Sequence, residues 1–126
     1  MTMRTPLKTA RSLGSAKEGA DHFWKQRVTG VANVFLGLFL VWLIASLIGA
    51  DHATVKARLA NPLIALAMLA LVVSGTLHMR LGMQTIIEDY VHGEGAKIIC
   101  LMMNTFFAAF IALASTFAVL KINFGA

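Results

Sequence analysis

Three long apolar stretches separated by short polar segments dominate the pattern of this chain. The first, VTGVANVFLGLFLVWLIASLIGA, runs from Val28 to Ala50 without a charge. The second, Leu59 to Met79, and the third, Ile98 to Leu120, are also uncharged, and the second carries one histidine, His78. As an α-helix each reaches about 30 Å, the thickness of a bilayer's hydrocarbon core. Helix is the geometry required, because an open sheet would strand backbone N–H and C=O groups in lipid. The pattern predicts an all-α membrane protein with three transmembrane helices. Its parts are a cytoplasmic arm over 1–27, a span over 28–50, a periplasmic loop over 51–58 and a second span over 59–90. A cytoplasmic loop over 91–97, a third span over 98–120 and a periplasmic C-terminus over 121–126 follow. The second helix is extended past the hydrocarbon because its apolar spacing persists through Met83, Ile86 and Ile87. Pro62 falls in that helix's first turn, where a proline costs little. Gly93 and Gly95 mark the turn before the third.

Composition supports this picture and removes alternatives. In 126 residues, 58% are hydrophobic and only 13% charged, with a mean hydropathy of +0.75. So small a chain cannot hide that much apolar surface within itself. The formal net charge of +5 would suit nucleic acid, but most of the excess sits in an arm beside an apolar span, where topology explains it. Of the 11 basic residues, Arg4, Lys8, Arg11, Lys17, Lys25, Arg27, Arg80 and Lys97 fall on one side and Lys56, Arg58 and Lys121 on the other. The positive-inside rule then places the N-terminus and second loop in the cytoplasm. No cleaved leader is expected, since the first apolar run starts late, is too long and lacks a small-residue cleavage site. The single cysteine, Cys100, has no partner for an internal disulfide and reads as a buried structural residue.

The candidate chemistry lies around the second span, in HMRLGMQTIIEDYVHGE. An intramembrane histidine is costly unless paired or functional. Ser74 (i−4), Gly75 (i−3) and Gly82 (i+4) share the face of His78, a flat strip of small residues around one imidazole. Such a strip suits a haem, which needs a neutral imidazole nitrogen for iron and no bulk where the macrocycle lies. It equally suits a helix-packing seam with His78 hydrogen-bonded to a neighbour. A bis-histidine haem would need its second ligand from another subunit.

Asp89 and Tyr90 lie about 16–18 Å further along the axis. A tyrosine hydroxyl can donate to a quinone carbonyl while a nearby carboxylate orients or relays protons. The competing reading is an interfacial anchor beside a solvated carboxylate. Asn33, His78, Asn104 and Thr105 all fall in the cytoplasmic half, whereas the outer half holds little beyond Trp42, Ser46 and Ser115. Trp24, Lys25 and Arg27 form an interfacial anchor, and Arg27 would also suit a haem propionate. His22, His52 and His92 read as surface or loop residues, and Glu88 is assigned no role.

With those residues in view the chain resembles the small hydrophobic membrane anchor of succinate dehydrogenase, respiratory complex II, in its alphaproteobacterial and mitochondrial branches. The resemblance is carried by His78, Gly82, Met83, Ile86 and Ile87, by DYVHGE from Asp89 to Glu94, and by WKQRVTG from Trp24 to Gly30. It implies a subunit of a bacterial inner-membrane enzyme of electron transport and the tricarboxylic acid cycle. A two-subunit helical bundle would be completed by a second three-helix anchor of the cytochrome b556 type. A flavoprotein and an iron–sulfur subunit would be tethered to the pair. It further implies haem b between the anchors with His78 as one axial ligand, and ubiquinone beside Tyr90 with Asp89 next to it. Succinate chemistry is not expected in this chain, which has neither a dinucleotide fingerprint nor a cysteine cluster for iron and sulfur. The rival classes are a structural or assembly protein whose His78 strip is only a seam, and a small transport subunit using His78 and Asp89 as proton relays.

Overall fold

The structure is a computed structural model that describes residues 5–7 and 18–125. The basic residues Arg4, Lys8, Arg11 and Lys17 lie outside the described residues. Three helices are long and apolar enough to cross a membrane. They are α1 (Glu18–Ser46), α3 (Pro62–Tyr90) and α4 (Glu94–Asn123), with a short α2 (His52–Leu59) between the first two.

The long helices have 29, 29 and 30 residues. At about 1.5 Å per residue each is some 45 Å long, well beyond the roughly 30 Å of hydrocarbon. In the up–down–up order, the start of α1, the end of α3 and the start of α4 overhang at one end. That end carries Lys25, Arg27, Arg80 and Lys97.

The helices do not share the bounds of the expected spans: α3 starts at Pro62 and α4 runs from Glu94 to Asn123, where spans over 59–90 and 98–120 were expected. The first helix is already formed at Glu18, upstream of Val28, and stops at Ser46 rather than Ala50. Its charged first turns lie outside an apolar window yet continue the same helix. At its other end Leu47 and Ile48 donate to the carbonyls of Ile44 and Ala45 in tighter i→i−3 bonds. Gly49 then takes φ +78, a left-handed conformation only glycine adopts without strain, and ends the helix. The segment 51–58, expected as a loop, folds as α2. Asp51 caps it by accepting from the Thr54 amide at 3.2 Å, and Lys56 and Arg58 stand at its negative C-terminal end. Asn61 similarly caps α3, accepting from the Leu63 amide at 3.0 Å, with Pro62 opening the helix as its first-turn position predicts.

The three long helices form an open layer. The central α3 packs against α1 on one side and α4 on the other, while α1 and α4 make no contact with each other among the described residues. Its neighbours are tied to it by polar bonds. Ser74 Oγ donates to the Thr29 carbonyl at 3.3 Å, and Asn104 Nδ2 to the Arg80 carbonyl at 2.9 Å. Asn123 Nδ2 donates at 2.8 Å to the carbonyl of Ala60, which ends α2 just before α3. Only Leu43, Ala65, Leu81, Ile87, Ala108 and Asn104 are buried among the described residues. Large apolar side chains such as Phe35, Leu38, Leu63, Phe106 and Phe110 are exposed on the outer surfaces, as suits contact with lipid or another subunit rather than water.

Candidate functional site

His78 stands on the α1-facing side of α3, and both seam helices are built from small residues there. Its Nδ1 lies 3.1 Å from Thr29 Oγ1. Gly30 meets the same ring: a Cβ there would stand 3.4 Å from His78 Cε1 and 3.8 Å from Nδ1. One turn deeper, Ser74 holds the Thr29 carbonyl. One turn toward the overhanging end, Gly82 faces Gln26, whose Nε2 would be 3.2 Å from an added Cβ. The strip therefore packs against α1, as a seam requires. His78 is nevertheless only half-buried, and its Nε2 has no hydrogen-bond partner among the described residues. Gly75 meets nothing within 4 Å and lies open.

The ring and its setting fit a haem ligand. Among the described residues one imidazole nitrogen is engaged by the protein and the other has no partner, the arrangement metal-ligating histidines adopt. The adjoining open position at Gly75 leaves room for a flat group.

Asp89 and Tyr90 occupy the last turn of α3. Both are exposed, Tyr90 by 76%, and neither side chain has a hydrogen-bond partner among the described residues. They stand three turns from His78, as their spacing predicts. Lys97 of α4 donates to the Glu88 carbonyl at 3.0 Å and thereby closes the end of α3 beneath them. Gln84 donates to the Glu88 carboxylate at 2.8 Å, which occupies that side chain locally.

Arg27 is not brought to His78. It lies two residues from Thr29, about 200° around α1, exposed, with its guanidinium 4.4 Å from the Phe23 ring centroid. Lys25 pairs with Asp21 on its own helix. Of the cations at this end, Lys25 and Arg80 border a groove between α1 and α3 that Trp24 and Thr29 also line. Asn33 continues the polar face of α1, and its Oδ1 is buried without a partner among the described residues. The Thr105 hydroxyl donates to the Leu101 carbonyl of its own helix. His22 is half-buried, while His52 and His92 are exposed.

Sequence reasoning missed Thr29 and Gly30 as part of the site. The pair stands near the entry of the first span, and its place opposite Ser74 and His78 follows only from the register of α1 against α3.

Comparison with known proteins agrees with this architecture. The family described as succinate dehydrogenase/fumarate reductase transmembrane subunit matches residues 1–118. A succinate dehydrogenase hydrophobic membrane anchor subunit from Paracoccus denitrificans is 30% identical over 97% of this chain and 94% of its own length. One from Rickettsia conorii is 37% identical over 70% of this chain and 71% of its own. A succinate dehydrogenase membrane anchor subunit from Reclinomonas americana is 29% identical, over 69% and 75%. The chain belongs to the succinate dehydrogenase/fumarate reductase transmembrane subunit family, and within it to the hydrophobic membrane anchors of succinate dehydrogenase.

Proposed function

We propose that this chain supplies one axial ligand to a haem b through His78 and one wall of a ubiquinone site through Tyr90 and Asp89. In the same reading it tethers a flavoprotein and an iron–sulfur subunit to the bacterial inner membrane. The observation that carries the proposal is the half-buried imidazole of His78, bonded at Nδ1 and unbonded at Nε2, on a strip of small residues. The open layer supports a second three-helix anchor as partner, because α4 packs on α3 and leaves α1 uncovered. That partner would bring the second axial ligand.

A haem held there supplies reversible one-electron chemistry. The residues of this chain do the rest by position. His78 would hold the group, and the open position at Gly75 would leave room beside it. At the overhanging end the Tyr90 hydroxyl donates to a quinone carbonyl oxygen, and Asp89 stands next to it as a carboxylate able to orient a neighbouring cation or pass a proton. Electrons leaving succinate in the soluble subunits reach the quinone there, and two electrons with two protons make the quinol. Arg27, stacked on Phe23 and turned from the seam, serves as an interfacial anchor with Trp24.

Optical spectroscopy of the purified complex tests the haem assignment. His78→Ala should abolish or shift the reduced-minus-oxidised haem b band; a spectrum identical to wild type would sink it.

A further inference from the structure

Thr29 decides which nitrogen of His78 would face the iron. The Thr29 hydroxyl has one proton. It is 2.8 Å from the Lys25 carbonyl oxygen and 3.2 Å from that of Gln26, both pure acceptors. With that proton given to a carbonyl, Thr29 Oγ1 faces His78 Nδ1 at 3.1 Å with lone pairs only. The proton between them must then belong to Nδ1. The opposite tautomer would place an N–H on Nε2, where no acceptor stands among the described residues. An unpaired N–H at that depth is costly.

We infer that Thr29 is a positioning residue that holds His78 as the Nδ1–H tautomer, with the Nε2 lone pair directed to the haem iron; this rests on His78 being a haem ligand. Thr29 is itself held. Its carbonyl accepts from Ser74 Oγ at 3.3 Å and its hydroxyl is anchored one turn back, so the acceptor has little freedom to turn. Gly30 backs the imidazole without a side chain of its own. Ser74, Thr29 and Gly30 thus join the packing seam and the ligand geometry in one device. The face that docks α1 on α3 also sets the ring. A hydrogen bond to the distal N–H raises the basicity of a ligating imidazole, and removing such a partner typically loosens a metal site about 10- to 100-fold.

The test compares Thr29→Val, Thr29→Ser and His78→Ala in the intact purified complex, reading haem content, the electron paramagnetic resonance of the ferric haem and its midpoint potential. Thr29→Val keeps the shape and removes the acceptor. It should bleed haem at least tenfold faster on detergent exchange, shift the ferric signal and raise the potential, because the less basic ligand favours ferric iron less. Thr29→Ser restores the hydroxyl and should return all three toward wild type. Wild-type haem retention, signal and potential in Thr29→Val, with the haem lost in His78→Ala, would overturn the role of Thr29 and leave the ligand assignment standing. An unaltered haem in His78→Ala would overturn both. A Thr29→Ser complex as perturbed as Thr29→Val would assign the effect to the lost methyl and overturn the inference as well. Should Thr29→Val fail to assemble, Thr29→Ala against Thr29→Ser reads the same hydroxyl.

Discussion

Asn104 on α4 donates through Nδ2 to the backbone carbonyl of Arg80 on α3, 2.9 Å away, from a position only 9% exposed. It is the one polar side chain buried between those helices among the described residues, and it meets α3 two residues after His78. Carbonyls have two lone pairs, so Arg80 keeps its helical bond while accepting the second. Removing the donor therefore costs the interhelical bond without orphaning the acceptor. Hydrogen bonds between membrane helices average about 0.6 kcal/mol and reach about 1.7. Asn104→Ala should destabilise the folded chain by about that much, plus the packing of the deleted atoms. Equilibrium unfolding in mixed micelles checks it. A stability equal to wild type would mean that this bond adds nothing to the docking of α4 on α3.

Gly75 and Gly30 divide the site into a side facing outward and a side facing α1. A Cβ at Gly75 meets nothing within 4 Å, whereas one at Gly30 meets the His78 ring at 3.4 Å. Gly75→Leu should then leave α1–α3 packing intact and block whatever flat group lies outside His78. Gly30→Ala should be accommodated at ordinary contact distance, while Gly30→Leu should push the ring aside and separate α1 from α3. Haem content of the complex, set against the helicity and thermal stability of the variants, distinguishes the two. The expected pattern is haem loss with normal helicity for Gly75→Leu, and loss of both haem and stability for Gly30→Leu.

The three spans were legible because a charge-free run of that length has few uses other than crossing lipid. The upstream extension of α1 was not, because hydropathy ends at the hydrocarbon edge while the helix at Glu18 does not. Nor was α2, an eight-residue helix with no buried residue. It has no apolar stripe to betray it, only the Asp51 cap and two cations in its last turn. Within the site, His78 and its small-residue strip could be read from i±4 spacing on one helix. Thr29 could not, because its role depends on the register of α1 against α3, and spacing along one chain segment does not encode register between two. The same limit applied to Arg27: its distance along the chain from Thr29 is short, yet the helical turn puts it on another face.

The cap at Asp51 carries its own pH dependence. Hydrogen bonds from Thr54, side chain first and amide second, hold the Asp51 carboxyl below its ordinary value of 3.8. A lowered folded-state value means the cap's contribution is complete above the ordinary range and fades as pH falls through the depressed one. Asp51→Ala should fray α2 at neutral pH, and wild type should approach the variant only in strong acid. Amide exchange of residues 52–55 reads this directly: faster in the variant at pH 7, and accelerated in wild type, beyond the intrinsic pH effect, only well below pH 4.

The end of α3 is where the quinone proposal meets a contact this chain provides. Tyr90 is exposed and has no bond among the described residues, whose packing does not depend on its hydroxyl. Tyr90→Phe should therefore assemble normally and reduce artificial dyes through the soluble subunits as wild type does. Loss of one hydrogen bond to a neutral carbonyl predicts a loss of about 0.5–1.5 kcal/mol in quinone recognition, roughly a two- to tenfold fall in kcat/KM for quinone. Lys97 acts on the same turn from below. Its ammonium donates to the Glu88 carbonyl at 3.0 Å and lies at the negative end of α3, where a cation is worth about 0.3–1 kcal/mol. Lys97→Met should fray the turn that carries Asp89 and Tyr90 without touching the quinone. Its signature is a higher KM for quinone, with kcat nearly kept at saturation. A Tyr90→Phe complex with wild-type quinone kinetics would return Tyr90 to the role of an interfacial anchor, and any effect of Lys97→Met would then act through Asp89.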